Sequence, residues 1–98
     1  MGNVRTGRDI DAALRKKGFR RDLDGKHIWY YFQDEHGEDS CVKVMVSHGV
    51  MGTTLGTPLI ALMARQIHLT KTQFLDLIDC PLDEESYRQI LRNAGFDV

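Results

Sequence analysis

Phe19-Arg20-Arg21-Asp22-Leu23-Asp24-Gly25-Lys26-His27-Ile28-Trp29-Tyr30-Tyr31-Phe32 decides the fold. Aromatic and β-branched side chains dominate its second half, as strands favour. Alternation places His27, Trp29 and Tyr31 on one face and Ile28, Tyr30 and Phe32 on the other. Phe19 to Asp22 is a short extended run, closed by the turn pair Asp24-Gly25. On the far side, Asp34 to Asp39 is a polar hairpin connection. Cys41 to Ser47 then repeats the alternation, with Val42, Val44 and Val46 directed to the core. Three strands joined by short turns predict an antiparallel meander.

Outward from the strands the period changes to that of helices. Before them, Thr6 is an N-cap with Asp9 in the first turn, and Ile10, Ala13 and Leu14 share one face. Arg8, Asp11 and Arg15 are expected on the solvent side of this helix, and Gly18 supplies its left-handed stop. After the strands, residues 49–56 read as a loop. Thr57 is the expected cap of the next helix, with Pro58 in its first position and Leu59, Leu62, Met63 and Ile67 as the buried stripe; Ala61 and Arg65 point away. Thr70-Lys71-Thr72-Gln73 is a capping box opening a short helix with Phe74, Leu75, Leu77 and Ile78. Asp83 caps a last helix carrying Tyr87, Ile90 and Leu91. The resulting order, α-β-β-β-α with a helical C-terminal extension, predicts an α+β sandwich with helices on one sheet face.

The chain has 98 residues, with 13 basic and 14 acidic side chains and a net charge of −1. That length predicts one domain. The near-neutral charge conceals a polarity. Residues 1–27 hold eight Lys/Arg against four Asp, a balance of +4; the remainder holds five basic against ten acidic residues, a balance of −5. A basic segment of this kind suits a phosphate backbone, although a solvated helix surface explains part of it equally well. No apolar run approaches the roughly 18–20 residues of a membrane span, and Met1 to Arg8 lacks the apolar core of a secretory signal. The expectation is a soluble cytoplasmic protein. Cys41 and Cys80 make no disulfide framework and no zinc spacing, so buried or partly buried free thiols are expected. No two histidines have helical i, i+4 spacing, and neither a metal site nor a cofactor is implied.

Leu14-Arg15-Lys16-Lys17-Gly18-Phe19 followed by Gly25-Lys26-His27-Ile28 resembles the L-x-x-x-G-F … G-S-H signature of the HicA family of small toxins. Val44-Met45-Val46-Ser47-His48 is similar to that family's strand ending in histidine, and Gly56-Thr57-Pro58-Leu59 through Phe74-Leu75 to its following helix and tail. The resemblance runs from Ile10 to about Ile78, the extension 79–98 lying beyond it. It implies a double-stranded-RNA-binding-like fold, ribosome-independent mRNA cleavage, and neutralisation by a HicB-type antitoxin. It also implies that His27, at the place of the family's essential histidine, is the residue of cleavage. Lys26 stands where the family commonly has Ser, a departure bearing on phosphate handling.

The chemistry is sound without the resemblance. Cleaving RNA without a metal needs a base for the ribose 2′-hydroxyl proton and an acid for the leaving oxygen, and histidine suits either role. Nearby cations stabilise the charge that develops on phosphorus. Lys26 as a strand residue would face away from His27, which favours Arg20, Arg21 or Lys43. Arg8, Arg15, Lys16, Arg20, Arg21, Lys26 and Lys43 form the candidate RNA-binding set. His48 reads first as a loop histidine and second as an auxiliary acid/base or phosphate contact. His36 and His68 read as structural. Trp29 and Tyr31 suit either stacking on unpaired bases or packing against a helix or a partner. The alternative function is a non-catalytic interaction domain on the same fold, binding RNA or a protein.

Overall fold

Strand alternation sorts the central segment as its sequence requires. In the computed structural model, which describes residues 4–47, 49, 52–79 and 81–98, Ile28, Tyr30 and Phe32 are buried while His27, Trp29, Tyr31 and Gln33 are half-buried on the other face. The elements in order are β1 (Arg5–Thr6), α1 (Gly7–Lys16), β2 (Phe19–Asp24), β3 (His27–Gln33), β4 (Asp39–Ser47), β5 (Thr54–Leu55), α2 (Thr57–Gln66), α3 (Lys71–Asp79) and α4 (Glu84–Asn93). Strands β2, β3 and β4 form one antiparallel sheet in that order, the expected meander. β1 and β5 pair separately, Arg5 with Leu55 and Thr6 with Thr54, β5 lying inside the stretch read as loop. Two residues are too few to show an alternation period, so this pair carries no sequence signal.

The β2–β3 hairpin is displaced from its expected place. Asp24 pairs with His27, leaving Gly25 and Lys26 as the two-residue turn, and β2 runs two residues past Asp22. Gly25 occupies the first turn position at φ 45°, a conformation glycine adopts without a Cβ penalty. Lys26 therefore belongs to the turn, and strand alternation does not direct it away from His27. Between β3 and β4 the register slips, Tyr31 pairing with Lys43 but Gln33 with Asp39. Ser40 Oγ accepts from the Val42 amide there at 3.1 Å.

Helix α1 starts at the expected cap, Thr6 Oγ1 accepting from the Asp9 amide at 3.1 Å, and Gly18 follows its end at φ 96°. Ile10, Ala13 and Leu14 are buried as expected. Asp11, expected in solvent, is only 5% exposed. Its carboxylate accepts from the Tyr30 hydroxyl at 2.5 Å and Arg21 Nη1 at 3.2 Å, and pairs with Arg15 at 3.1 Å. Those partners explain how a carboxylate is tolerated against the sheet.

Helix α2 departs from expectation at its cap and in its phase. Gly56 is the N-cap without a side-chain bond, Thr57 begins the helix, and Pro58 is its second residue. Ile60, Met63, Ala64 and Ile67 are buried, whereas Leu59 and Leu62 are 39% and 49% exposed. Leu59 to Ala64 is apolar throughout, so two stripes compete. The one carrying Ala64 permits close approach to the sheet, and Gln66 Oε1 accepts from the Met45 amide of β4 at 3.2 Å. The capping box of α3 is present in both directions, with Gln73 N donating to Thr70 Oγ1 at 3.1 Å and Thr70 N to Gln73 Oε1 at 3.0 Å.

Helix α4 is capped by Asp83, whose side chain accepts from the Ser86 amide at 2.8 Å. Its Tyr87 is fully buried between Phe32 and Phe19, ring centroids 4.9 and 5.8 Å away, and donates to the Ile67 carbonyl at 2.9 Å. Arg88 donates to the Gln33 carbonyl at 3.0 Å. Tyr87, Leu91 and Val98 thus join the same core as Leu14, Phe32 and Val44. Lys17, at the end of α1, buries its ammonium against the carbonyls of Leu77 and Leu82 at 2.9 and 2.6 Å, fastening α1 to α3 and the segment after it. Cys41 is exposed, contrary to expectation, because strand alternation gives the core position to its neighbour Val42 and turns Cys41 to the open face. Cys80 lies outside the described residues.

Candidate functional site

With the apolar sides of β2, β3 and β4 turned to the helices, the other side of the sheet bears no described element. Its side chains form rows set by the pairing register. Arg20, Tyr31 and Lys43 make one row; Asp22, Trp29 and Met45 the next; and His27 pairs with Ser47 beside the turn. His27, Trp29 and Tyr31 thus lie in line on the central strand, each half-buried. The Trp29 and Tyr31 rings are 6.1 Å apart and inclined by only 22°. Lys43 Nζ sits 5.2 Å from the Trp29 ring centre and the Arg20 guanidinium 5.2 Å from that of Tyr31.

Charge on this face is partly spent internally. Arg20 grips Asp39 with two nitrogens, at 2.9 and 2.6 Å, and lies 3.9 Å from Asp22. The Arg20 guanidinium, helped by Gln33, pulls the Asp39 carboxyl down to about 2, and Asp39 in return makes Arg20 harder to deprotonate. Asp39 was not singled out by sequence reasoning; only the slip in β4 register, invisible in sequence, brings it opposite Gln33. Lys26 is exposed in the turn and Lys43 on the strand, and neither has a carboxylate within ion-pair distance among the described residues.

The seven candidate RNA-binding cations do not form one surface. Arg20, Lys26 and Lys43 accompany His27. Arg8, Arg15 and Lys16 are exposed on α1, on the opposite side of the sheet. Arg21 follows Arg20 in a strand and so faces α1, where Asp11 engages it. Arg8 lines a shallow groove with Thr6, Asp9 and Gly52, while Lys16 lines another with Arg5, Asp9, Ala12, Ile78 and Asp79. The +4 balance of the first 27 residues is also reduced by pairing: Arg5 engages Asp79, Arg15 and Arg21 share Asp11, and Arg20 holds Asp39.

His48 lies outside the described residues. His68 follows the end of α2 at φ 66° with its ring 4.3 Å from Phe96, and His36 is exposed in the hairpin turn, its amide donating to Asp34. Among the described residues no three His, Cys, Asp or Glu side chains are grouped as metal ligands, and no helix is long and apolar enough to cross a membrane. Comparison with protein-family models, curated proteins and solved structures found no match to the chain.

Proposed function

We propose that the protein is a HicA-like mRNA interferase on a double-stranded-RNA-binding-like fold, cleaving RNA in the cytoplasm without a metal and restrained by a HicB-like antitoxin. The observation that carries this reading is the position of His27: first residue of the central strand, on the uncovered sheet face, beside the exposed turn cation Lys26. The run α1-β2-β3-β4, followed after the short β5 by α2, supports the fold assignment.

In this mechanism His27 accepts the 2′-hydroxyl proton, and the 2′ oxygen attacks the adjacent phosphorus. The bond to the 5′ oxygen breaks, and that oxygen takes a proton from the imidazolium or from water. The products are a 2′,3′-cyclic phosphate and a 5′-hydroxyl. Lys26 opposes the charge on the phosphorane, a contribution that a flexible turn residue makes as a point charge. Inducing the wild-type chain and His27→Ala in bacteria tests the reading: growth arrest only with the wild type supports it, and equal growth with both contradicts it.

A second reading, a non-catalytic interaction domain, is favoured by the internal pairing of Arg15, Arg20 and Arg21, three of the seven candidate cations. Stable, stoichiometric binding of RNA or protein by a chain without His27-dependent cleavage would establish it.

A further inference from the structure

The line of His27, Trp29 and Tyr31 contains more than a candidate acid/base. The interferase reading needs a substrate whose scissile phosphate reaches His27, and the neighbouring side chains restrict what that substrate is. Two residues along a strand span about 7 Å, so Trp29 lies one such step from His27 and Tyr31 a second. The 6.1 Å between the two rings matches this step. It is close to twice the ~3.4 Å rise between stacked bases, and thus suits bases splayed apart rather than stacked in a duplex.

The ring faces are already used as π surfaces. Lys43 covers Trp29 and Arg20 covers Tyr31, each at 5.2 Å, and both rings are half-buried on the face opposite Ile28, Tyr30 and Phe32. A base arriving on Trp29 displaces the Lys43 ammonium, which moves to the nearest phosphate. Arg20 stays held by Asp39, so a base must reach Tyr31 on the part of the ring that the guanidinium leaves open, and Lys26 and Lys43 are the cations left to complement a phosphate backbone. Two cations cannot hold a polyanion tightly, and attraction on this face must come mainly from stacking.

We infer that Trp29 and Tyr31 form a base-stacking platform for single-stranded RNA, binding the unpaired nucleotides next to the bond that His27 cleaves. This inference rests on the interferase reading for its substrate, yet it makes separate claims. The ligand is single-stranded, since duplex bases have no free faces to offer. Its binding has a shallow salt dependence, with log affinity falling against log salt with a slope of about −1.4 for two single-strand phosphate contacts.

Trp29 is the chain's one tryptophan, so its fluorescence reports directly on this platform. The test is titration of the wild-type protein with a short single-stranded 2′-O-methyl oligonucleotide of mixed sequence, which lacks the hydroxyl needed for cleavage. The expected result is saturable quenching of Trp29, with much weaker binding of the matching duplex. Anisotropy of the labelled strand should show Trp29→Leu and Tyr31→Leu each weakening binding about 5- to 150-fold, the equivalent of ~1–3 kcal/mol per stacked base. Tyr31→Phe should retain binding, and Lys43→Met should halve the salt slope. Both rings lie on the uncovered face, and circular dichroism verifies that each variant is folded. Equal affinity for duplex and single strand, unchanged Trp29 fluorescence at saturation, or Leu variants that bind like wild type would each overturn the inference. Failure of the interferase reading looks different: the oligonucleotide quenches Trp29 as described, yet RNA is not cleaved in a His27-dependent way.

Discussion

The buried carboxylate of Asp11 is where α1 is pinned to the strands that carry the site, and Asp11→Ala tests that joint. Tyr30 is 1% exposed and its hydroxyl donates to Asp11 at 2.5 Å. Removing the acceptor leaves that hydroxyl dry and unpartnered, at a cost of ~1–3 kcal/mol. Arg21 and Arg15 have side chains 31% and 49% exposed, so both turn to water and add no more than ~1 kcal/mol. Alanine's better helix propensity returns about 0.5 kcal/mol. The net loss is ~0.5–3.5 kcal/mol, and at roughly 4–8 °C per kcal/mol for a domain of this size the melting temperature should fall by about 2–28 °C. Urea unfolding followed by circular dichroism measures it. Tyr30→Phe removes the donor without stranding a charge, so in the double variant the hydroxyl is no longer orphaned. The combined loss should therefore be about 1 kcal/mol smaller than the sum of the singles. A loss under about 0.5 kcal/mol for Asp11→Ala, or strict additivity, would show that the Tyr30 hydroxyl does not depend on Asp11.

Other consequences are as direct. Lys17→Met keeps the apolar stem but strips the Leu77 and Leu82 carbonyls of their donor, and should cost ~1–3 kcal/mol by denaturant titration. Leu62→Lys should change stability by less than about 0.5 kcal/mol, whereas Ile60→Ala should cost ~2–5 kcal/mol, a contrast that fixes the phase of α2. Burial raises the Tyr30 and Tyr87 phenols above the ordinary tyrosine value, with the Asp11 bond adding to the effect at Tyr30. The folded state therefore keeps these protons longer than the unfolded state. Their stabilising contribution is complete below about pH 10 and declines as pH rises beyond it, which urea midpoints measured from pH 8 upward will show.

What was legible in the sequence was local. Period-two alternation in 27–33 and 42–46 sorted core from open face, and the Thr6, Thr70 and Asp83 caps were readable because their partners lie three residues away. The phase of α2 was not, because Leu59 to Ala64 is apolar on every side and only the sheet chooses between its stripes. Nor was the inward turn of Asp11, whose partners Arg21 and Tyr30 are 10 and 19 residues distant. At the candidate site, the shared face of His27, Trp29 and Tyr31 followed from alternation alone. The same rule separates Arg20 from Arg21, which sequence reading had grouped together by charge. The clamp of Arg20 on Asp39 depends on a slipped register, and it removes from the open face a cation that composition counts as available.

Cleavage of RNA by His27 from this face is tested by product analysis with purified protein. Single-stranded RNA incubated with wild type and His27→Ala in EDTA should be cut only by the wild type, leaving 2′,3′-cyclic phosphate and 5′-hydroxyl ends. Intact RNA with both proteins, or equal cleavage by both, would rule out His27-dependent cleavage.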